Sequence, residues 1–377
     1  MNYLNFLFVG GISFLPLYLW SSGGLQISHY LLAIYCGAYL WSSGIGRGIA
    51  DFVLIMLVFF LTIRESFSVF LGENVTSLMP VLHLLFSLMI FNVFRRVFKS
   101  ERAIKLAVFG LTLSALTAVL GVLFIGYSLS VDDEGRRAIG TFNNPNQLGY
   151  FSVCIFSIAF LLNLDKKISK WNFILLISVS LFLSIASLSK SAMLSIAMPL
   201  FFIGFYLSSG RSKRVIGLLF VICIAFLFWY FYTSGTLDQF KFFDRLLSIG
   251  SQSDDSLEER GYGAIFEASV FELFFGFGYW DVVRIVGHEV HSTIFSFLAG
   301  YGLIGASLFI VFNFIWVKYI WQAYSFKGLL VVAFPPLFYG IAHNGSRFTI
   351  FWILLALSFS ICQRNNVHLK KDILLKF

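Results

Sequence analysis

Long apolar runs separated by short polar connections fill almost all of the 377-residue chain. Each run is about 17 to 25 residues long, enough for an α-helix that crosses roughly 30 Å of hydrocarbon. A closed β-barrel would show ten-residue alternating segments instead, and these are absent. The sequence therefore predicts an all-α polytopic membrane protein. Twelve spans are expected near 2–20, 25–43, 48–63, 77–94, 103–127, 147–164, 171–188, 191–208, 215–233, 291–317, 328–345 and 347–362.

The composition supports a lipid environment. The chain is 58% hydrophobic and 12% charged, with 47 Phe, whereas soluble domains carry about 25% charged residues. Its four cysteines stand singly inside apolar runs and lack metal-ligand spacing. We expect one integral membrane domain over residues 1–377, with no metal or other cofactor.

The charges are distributed unevenly between the two sides. With the N-terminus in the cytoplasm, the inner connections carry 18 of the 27 basic residues, while 15 of the 19 acidic residues lie outside. Cytoplasmic connections are enriched in Lys and Arg, so both termini are predicted to be cytoplasmic. The net charge of +8 is then a topology signal, and no nucleic-acid partner is expected.

One connection is much longer than the others. Residues 234–290 are predicted to form a large loop on the outer side. Within it, DDSLEERGYGAIFEASVFELFFGFGYWDVV has apolar residues at helical spacing, which predicts one or two amphipathic helices lying on the membrane. Loops longer than about 15 residues are usually functional in compact proteins.

The stretch GTFNNPNQLGY, residues 140–150, is unusually polar for a turn between two apolar runs. Amide side chains such as those of Asn144 and Asn146 pair donors with acceptors, which suits sugar hydroxyls or phosphate oxygens. In the structural interpretation, Asn146 or Gln147 caps the helix that follows. Both interpretations stay open from this stretch alone.

Four basic residues on the outer side, where basic residues are fewer, are further candidates, because charges near a bilayer are costly. Arg136 and Arg137 precede the Asn-rich turn. Lys190 lies in the hairpin SLSKSAM, where a membrane-interface anchor is the structural alternative. Arg260 lies in EERGYGAIFEA, where an ion pair with a neighbouring Glu is the alternative.

His291 opens the element HSTIFSFLAGYGLIG on the outer side, three residues after His288. The pair is not HExxH, and without further Cys or His nearby it is weak evidence for a metal. A histidine at a helix N-terminus is favoured in the neutral form. His291 is thus a candidate general base, with an interfacial polar cap as the alternative.

Arg347, in the last outer turn IAHNGSRF, completes a set of cations on one face. Arg binds phosphate oxygens in a bidentate manner, and Lys acts as a point charge. A base beside fixed cations indicates transfer of a group from a lipid diphosphate, without a divalent metal.

Several motifs occur in the order found in the O-antigen ligase/polymerase superfamily, which the chain resembles over about residues 136–305. They are GTFNNPNQLGY, the S-L-S-K-S-A hairpin, ER in the long loop, FGFGY and HSTIFSFLAGYGLIG. The last fits the pattern of His, Ser, nine residues, Gly, two residues and Gly at His291, Ser292, Gly302 and Gly305. The resemblance implies a GT-C-type glycosyltransferase with about twelve helices.

The resemblance also implies residue roles. His291 matches the catalytic histidine of the family and Arg260 its loop arginine. Lys190 stands where the family has an arginine, so the bidentate contact that an arginine makes with phosphate is lost there. Arg136 or Arg137 would compensate for this weaker phosphate binding.

The expected function is polymerisation of undecaprenyl-diphosphate-linked oligosaccharide repeat units into O-antigen, capsule or exopolysaccharide, at the outer face of the inner membrane. A chain-length regulator and a flippase are the expected protein partners. The alternative is ligation of finished polysaccharide onto lipid A–core. A secondary transporter or lipid flippase is a third possibility, but it predicts repeated halves and ionisable groups in mid-membrane.

Overall fold

The computed structural model describes residues 3–20, 24–125, 138–206, 265, 268–288 and 290–374, without the side chains of 205, 206 and 366–374. Every regular element in these ranges is a helix, which confirms the all-α prediction for them. The helices are α1 (Tyr3–Ser13), α2 (Ile27–Ser43), α3 (Ile49–Phe70), α4 (Met79–Val97, after the 3-10 turn Val75–Leu78), α5 (Glu101–Phe124), α6 (Pro145–Leu164), α7 (Lys170–Ala186), α8 (Lys190–Tyr206), α9 (Val270–Phe275), α10 (Tyr279–Val286), α11 (Thr293–Gly328), the π-helical turn Leu329–Ala333, α12 (Phe334–Ala342) and α13 (Thr349–Leu374).

The described helices are compatible with a polytopic membrane protein. Large apolar side chains point outward along them, such as Phe109 in α5 and Phe314 in α11, which are 56% and 65% exposed. Apolar surface of this extent is stable against lipid and not against water. Three apolar helices, Tyr3–Ser13, Lys170–Ala186 and Lys190–Gly204, are shorter. In the part of the chain that the structure describes, five helical runs are long and apolar enough to cross a membrane: Ile49–Phe70, Val75–Val97, Glu101–Phe124, Pro145–Leu164 and Thr293–Ala342.

The run Thr293–Ala342 folds back on itself. A straight helix of 50 residues would be about 75 Å long, yet the Thr293 hydroxyl donates a hydrogen bond to the carbonyl of His343 at 3.1 Å. The backbone leaves the helical region twice in this run, at Gly302 and at Ser325 (φ 54°, ψ −151°). The rings of Phe297 and Phe309, on either side of Gly302, stack with their centroids 4.2 Å apart, so the chain turns there as well. The break at Ser325 falls between the separate spans predicted at 291–317 and 328–345.

The ends of the chain differ from the predicted spans. The first helix ends at Ser13, so its 11 residues are too short to cross a bilayer. The segment that follows is held in a non-helical course, since Thr141 donates to the Pro16 carbonyl at 2.6 Å and accepts from the Tyr18 amide at 3.0 Å. The last helix runs on to Leu374. The span predicted at 215–233 lies outside the described residues.

Helix α6 runs through the centre of the bundle. Almost every side chain from Gln147 to Leu162 is buried, and the helix packs against α7, α8, α12 and α13. Buried helices of this kind are apolar on all sides, which explains why α6 follows no amphipathic pattern. Its first turn, the end of GTFNNPNQLGY, therefore lies at the centre of one end of the bundle.

The opposite end of the bundle carries the ion pairs of the predicted inner connections. Arg95 is paired with Asp51, and both are buried. Glu101 accepts from Lys167 at 2.7 Å and from Arg364 at 3.0 Å. The first pair joins the start of α3 to the end of α4, and the second group joins the start of α5 to the end of α6 and to α13. We call this the basic end of the bundle, and the other the cavity end.

At the cavity end, the motif FGFGY docks on the motif LAGYGLIG through the backbone. The Phe277 amide donates to the Ala299 carbonyl, and the Gly278 amide to the Gly300 carbonyl, each at 2.9 Å. This contact fastens α9 and α10 to the start of α11. The described part of the 234–290 loop thus contains two short helices, as its pattern predicted.

The backbone contact leaves no room for side chains. A Cβ on Gly276 would lie 2.2 Å from the carbonyl oxygen of Gly300, and one on Gly302 would lie 2.4 Å from the carbonyl of Phe274. Both glycines also have positive φ, +78° and +60°, where L side chains are strained. Gly302 accordingly breaks α11 after its second turn.

Replacing Gly276 with Ala is expected to lower the free energy of unfolding by about 2–4 kcal/mol, because a clash with backbone adds to the strain of positive φ. Thermal unfolding of the purified protein in detergent measures the change. The matched control is Gly37→Ala in α2, where a Cβ meets nothing within 4 Å; it is expected to keep or slightly raise the stability. Equal stability of the two variants would contradict the backbone contact.

Candidate functional site

Two adjoining cavities open at the cavity end of the bundle. The larger, of about 490 Å³, lies among the starts of α2, α4, α6 and α13 and the end of α12. It is lined by four histidines, and we call it the histidine cavity. The smaller, of about 300 Å³, is lined in part by Tyr279, Trp280 and Tyr301, and we call it the aromatic cavity. The two share a wall made of Met79, His83, Ser87, Asn344 and Arg347.

The GTFNNPNQLGY stretch supplies one wall of the histidine cavity. Asn144 has extended backbone (φ −153°, ψ 160°) and caps α6, its side chain accepting from the Gln147 amide at 2.9 Å. The prediction that Asn146 or Gln147 caps this helix was therefore wrong, since both are already helical residues after Pro145. Asn144, Asn146 and Gln147 all line the cavity, so capping and cavity lining occur together.

His291 lies on the opposite wall, exposed to the cavity. It stands just before Ser292, whose hydroxyl caps α11. Its ring stacks on His288 with the centroids 5.1 Å apart and the planes 12° from parallel. The ring of His343 lies 6.3 Å away at 60°. The predicted general base is thus accessible and belongs to a row of three imidazoles.

The turn between α12 and α13 positions His343 and Arg347. Thr293 fixes this turn by donating to the His343 carbonyl at 3.1 Å and accepting from the Gly345 amide at 2.9 Å. Arg347 donates through Nη1 to the Tyr279 hydroxyl at 3.4 Å. The guanidinium is therefore held between the two cavities.

Tyr339 connects this turn to the Asn-rich turn. Its hydroxyl donates to the Asn146 carbonyl at 2.6 Å, and its ring lies 4.9 Å from that of His343. A buried phenol needs such a partner for its hydroxyl. The start of α6 and the end of α12 are consequently fixed relative to each other.

Sequence reasoning missed His29 and His83, which complete the histidine cavity. Each lies in the first turns of a mostly apolar helix and belongs to no recognisable motif. The available signal was their position near the predicted outer ends of spans 25–43 and 77–94. The backbone amide of Gln26 donates to Nδ1 of His29 at 3.0 Å. His29 therefore carries its proton on Nε2 when neutral, leaving that nitrogen as a donor.

The electrostatics of the two cavities favour an anion. Among the described residues that line them, Arg347 carries the only fixed charge and no carboxylate is present. Amides, imidazoles and the hydroxyls of Ser, Thr and Tyr supply the remaining polar side chains. No group of three His, Cys, Asp or Glu arranged to hold a metal ion occurs in the described ranges. A single cation surrounded by neutral hydrogen-bonding groups suits a phosphate or diphosphate.

Among the remaining predicted residues, the structure describes Lys190. Lys190 begins α8 and is half-buried, but it lines neither cavity. Its hairpin packs on α6 instead, with Ser187 and Ala192 close to Gly149. Arg136, Arg137 and Arg260 lie outside the described residues. The structure thus joins His291, Asn144, Asn146 and Arg347 and leaves Lys190 apart.

No family model matches the chain, and no curated protein matches it.

Inorganic pyrophosphate is expected to stabilise the protein against thermal unfolding, and Arg347→Ala is expected to abolish this effect because it removes the fixed charge of the cavities. At a concentration 100 times Kd, the stabilisation should be about 2.7 kcal/mol. The unfolding temperature in detergent, with and without pyrophosphate, measures it.

The matched control is Arg284→Ala. Arg284 belongs to α10 and pairs with Glu73 and Asp281, away from both cavities. Hydrogen bonding to Glu73 raises the pKa of this guanidinium, so it stays charged. The Arg284→Ala variant should keep the pyrophosphate effect. An equal loss in both variants would exclude a specific anion site at Arg347.

Proposed function

We propose that the protein is a membrane glycosyltransferase that polymerises undecaprenyl-diphosphate-linked oligosaccharide repeat units into O-antigen, capsule or exopolysaccharide. The observation that supports this is the lining of the histidine cavity. It combines an accessible histidine, His291, with one arginine, Arg347, and with amides, while no carboxylate lies among its described residues.

In the proposed reaction, His291 accepts the proton of a hydroxyl on the acceptor sugar. The hydroxyl oxygen then bonds to the anomeric carbon of the donor glycan, and the bond from that carbon to the diphosphate oxygen breaks. Undecaprenyl diphosphate leaves with the bonding electrons. Arg347 stabilises the negative charge that develops on it, and Asn144 and Asn146 hydrogen-bond sugar hydroxyls.

The roles of the other predicted residues stay predictions. Lys190, Arg136, Arg137 and Arg260 would add positive charge around the diphosphate. The chemistry needs no divalent metal, because imidazole and guanidinium groups perform the proton transfer and charge stabilisation. The donor set agrees, since Mg²⁺ prefers carboxylate oxygens, which the described lining does not offer.

The proposed setting is the inner membrane, with a GT-C-type arrangement of about twelve spans and both termini cytoplasmic. The basic end of the bundle would face the cytoplasm, in keeping with the positive-inside rule. The cavity end would then lie at the outer face, where a lipid-anchored diphosphate is accessible. A flippase would deliver the substrate, and a chain-length regulator would act on the product.

Replacing His291 with Ala is expected to reduce polymerisation by about 10²- to 10⁴-fold, the contribution of a general base. The variant is expressed in a strain that lacks the gene, and surface polysaccharide is separated on a gel. The ladder of repeat lengths should collapse to a single repeat unit. Membrane levels of the variant must equal those of the wild type.

The matched control is His288→Ala, because His288 contacts His291 but does not line the cavity. It should keep the ladder. Equal losses in both variants would assign the effect to the local fold and reject His291 as the base. Long chains that accumulate on the carrier lipid would indicate O-antigen ligase activity, with lipid A–core as acceptor. An unchanged ladder with His291→Ala would leave transport as the better hypothesis.

A further inference from the structure

We propose that the aromatic cavity is a binding subsite for the donor glycan, taking the sugar that is joined to the diphosphate. The inference rests on the proposed function and names the part of the substrate that each cavity receives. The aromatic cavity has a volume of about 300 Å³, which lies at the lower limit for ligand pockets. Such pockets combine aromatic walls with a few polar groups.

Trp280 and Tyr279 form the aromatic wall. Trp280 is 39% exposed although it lines the cavity. The two rings are 5.5 Å apart and 83° from parallel, so the edge of one supports the face of the other. The face of an aromatic ring carries partial negative charge and attracts the polarised C–H groups on the flat side of a sugar ring. An exposed indole beside a cavity is therefore suited to a sugar.

The turn that presents these rings is held by two residues at the end of α3. Arg64 donates to the Gly276 carbonyl through Nε and Nη2, at 3.1 and 3.0 Å, and to Ser68 through Nη1 at 2.6 Å. Glu65 is 1% exposed, and its Oε1 accepts from the Tyr279 backbone amide at 3.0 Å. These hydrogen bonds hold Tyr279 in place before any ligand binds.

Polar groups for sugar hydroxyls lie on the other sides of the aromatic cavity. Thr76, Ser296 and Asn344 line it. The Asn344 amide donates to the Ser296 hydroxyl at 3.2 Å, which fixes the orientation of both. Hydroxyl and amide groups both donate and accept, as sugar hydroxyls do. The cavity thus pairs an apolar face with a polar rim, the two surfaces that a sugar ring presents.

The position of Arg347 assigns this subsite to the donor glycan. Arg347 lies on the wall shared by both cavities and donates to the Tyr279 hydroxyl. A sugar joined to a diphosphate that Arg347 holds lies beside the aromatic wall. His291, in contrast, lines only the histidine cavity. The acceptor hydroxyl therefore approaches from the histidine cavity and the donor glycan extends into the aromatic one.

The test compares two ligands of the full-length protein in lipid nanodiscs. One is sugar-free undecaprenyl diphosphate. The other is the lipid-linked repeat unit extracted from cells that lack the gene. Trp280→Ala should weaken binding of the repeat unit about tenfold and leave the Kd of undecaprenyl diphosphate unchanged. Trp280→Phe, which keeps an aromatic face, should restore most of the affinity.

The matched control is Trp171→Ala at the start of α7, an indole that is 79% exposed and lies at the basic end. It should change neither Kd. Tryptophan also anchors proteins at the membrane interface; if Trp280 does only that, Trp280→Ala leaves both Kd values unchanged and the inference is overturned. Equal weakening of both ligands overturns it as well. Failure of the proposed function looks different: the wild type then binds neither ligand.

Discussion

The cavity end of the bundle depends on one close contact between two backbones. Because Gly276 and Gly302 carry no side chains, the FGFGY turn approaches α11 closely enough for amide-to-carbonyl hydrogen bonds. The contact holds Tyr279 and Trp280 against the helix that begins after His291. Arg64 reinforces it from α3. Tyr279 and Trp280 thus keep their positions through a contact made by the residues that precede them, while Thr293 fixes the turn that carries Arg347.

Much of the fold could be predicted because its determinants are local. An apolar run of sufficient length specifies a helix without knowledge of its neighbours, and the helices on either side of Ser325 were expected as separate spans. The early end of α1 had a local signal that the predicted span overlooked, because Pro16 cannot continue a helix. The course of the segment that follows could not be predicted, because it depends on a hydrogen bond from Thr141, more than 120 residues away. The cap of α6 was misassigned because Pro145 places the start of the helix one residue after Asn144.

The candidate site was predictable only in part, for a related reason. His291 and Arg347 stood out because each lies in a polar stretch at a helix end. His29 and His83 belong to apolar helices, and only the packing of α2 against α4 brings them to one cavity. Lys190, a charge at the predicted outer face, lies on a hairpin that packs on α6 and lines neither cavity, so its role in substrate binding stays a prediction.

Arg347 lies in the wall between the two cavities. Among their described lining residues, it is the only cation that could bind the diphosphate. In the proposed reaction, the spent carrier lipid keeps its diphosphate on this guanidinium after the sugar has moved. The next donor needs the same guanidinium, so it enters only when the spent carrier has gone. The turnover rate would then be set by how quickly undecaprenyl diphosphate leaves the site, so release of this product would be the rate-limiting step of chain growth.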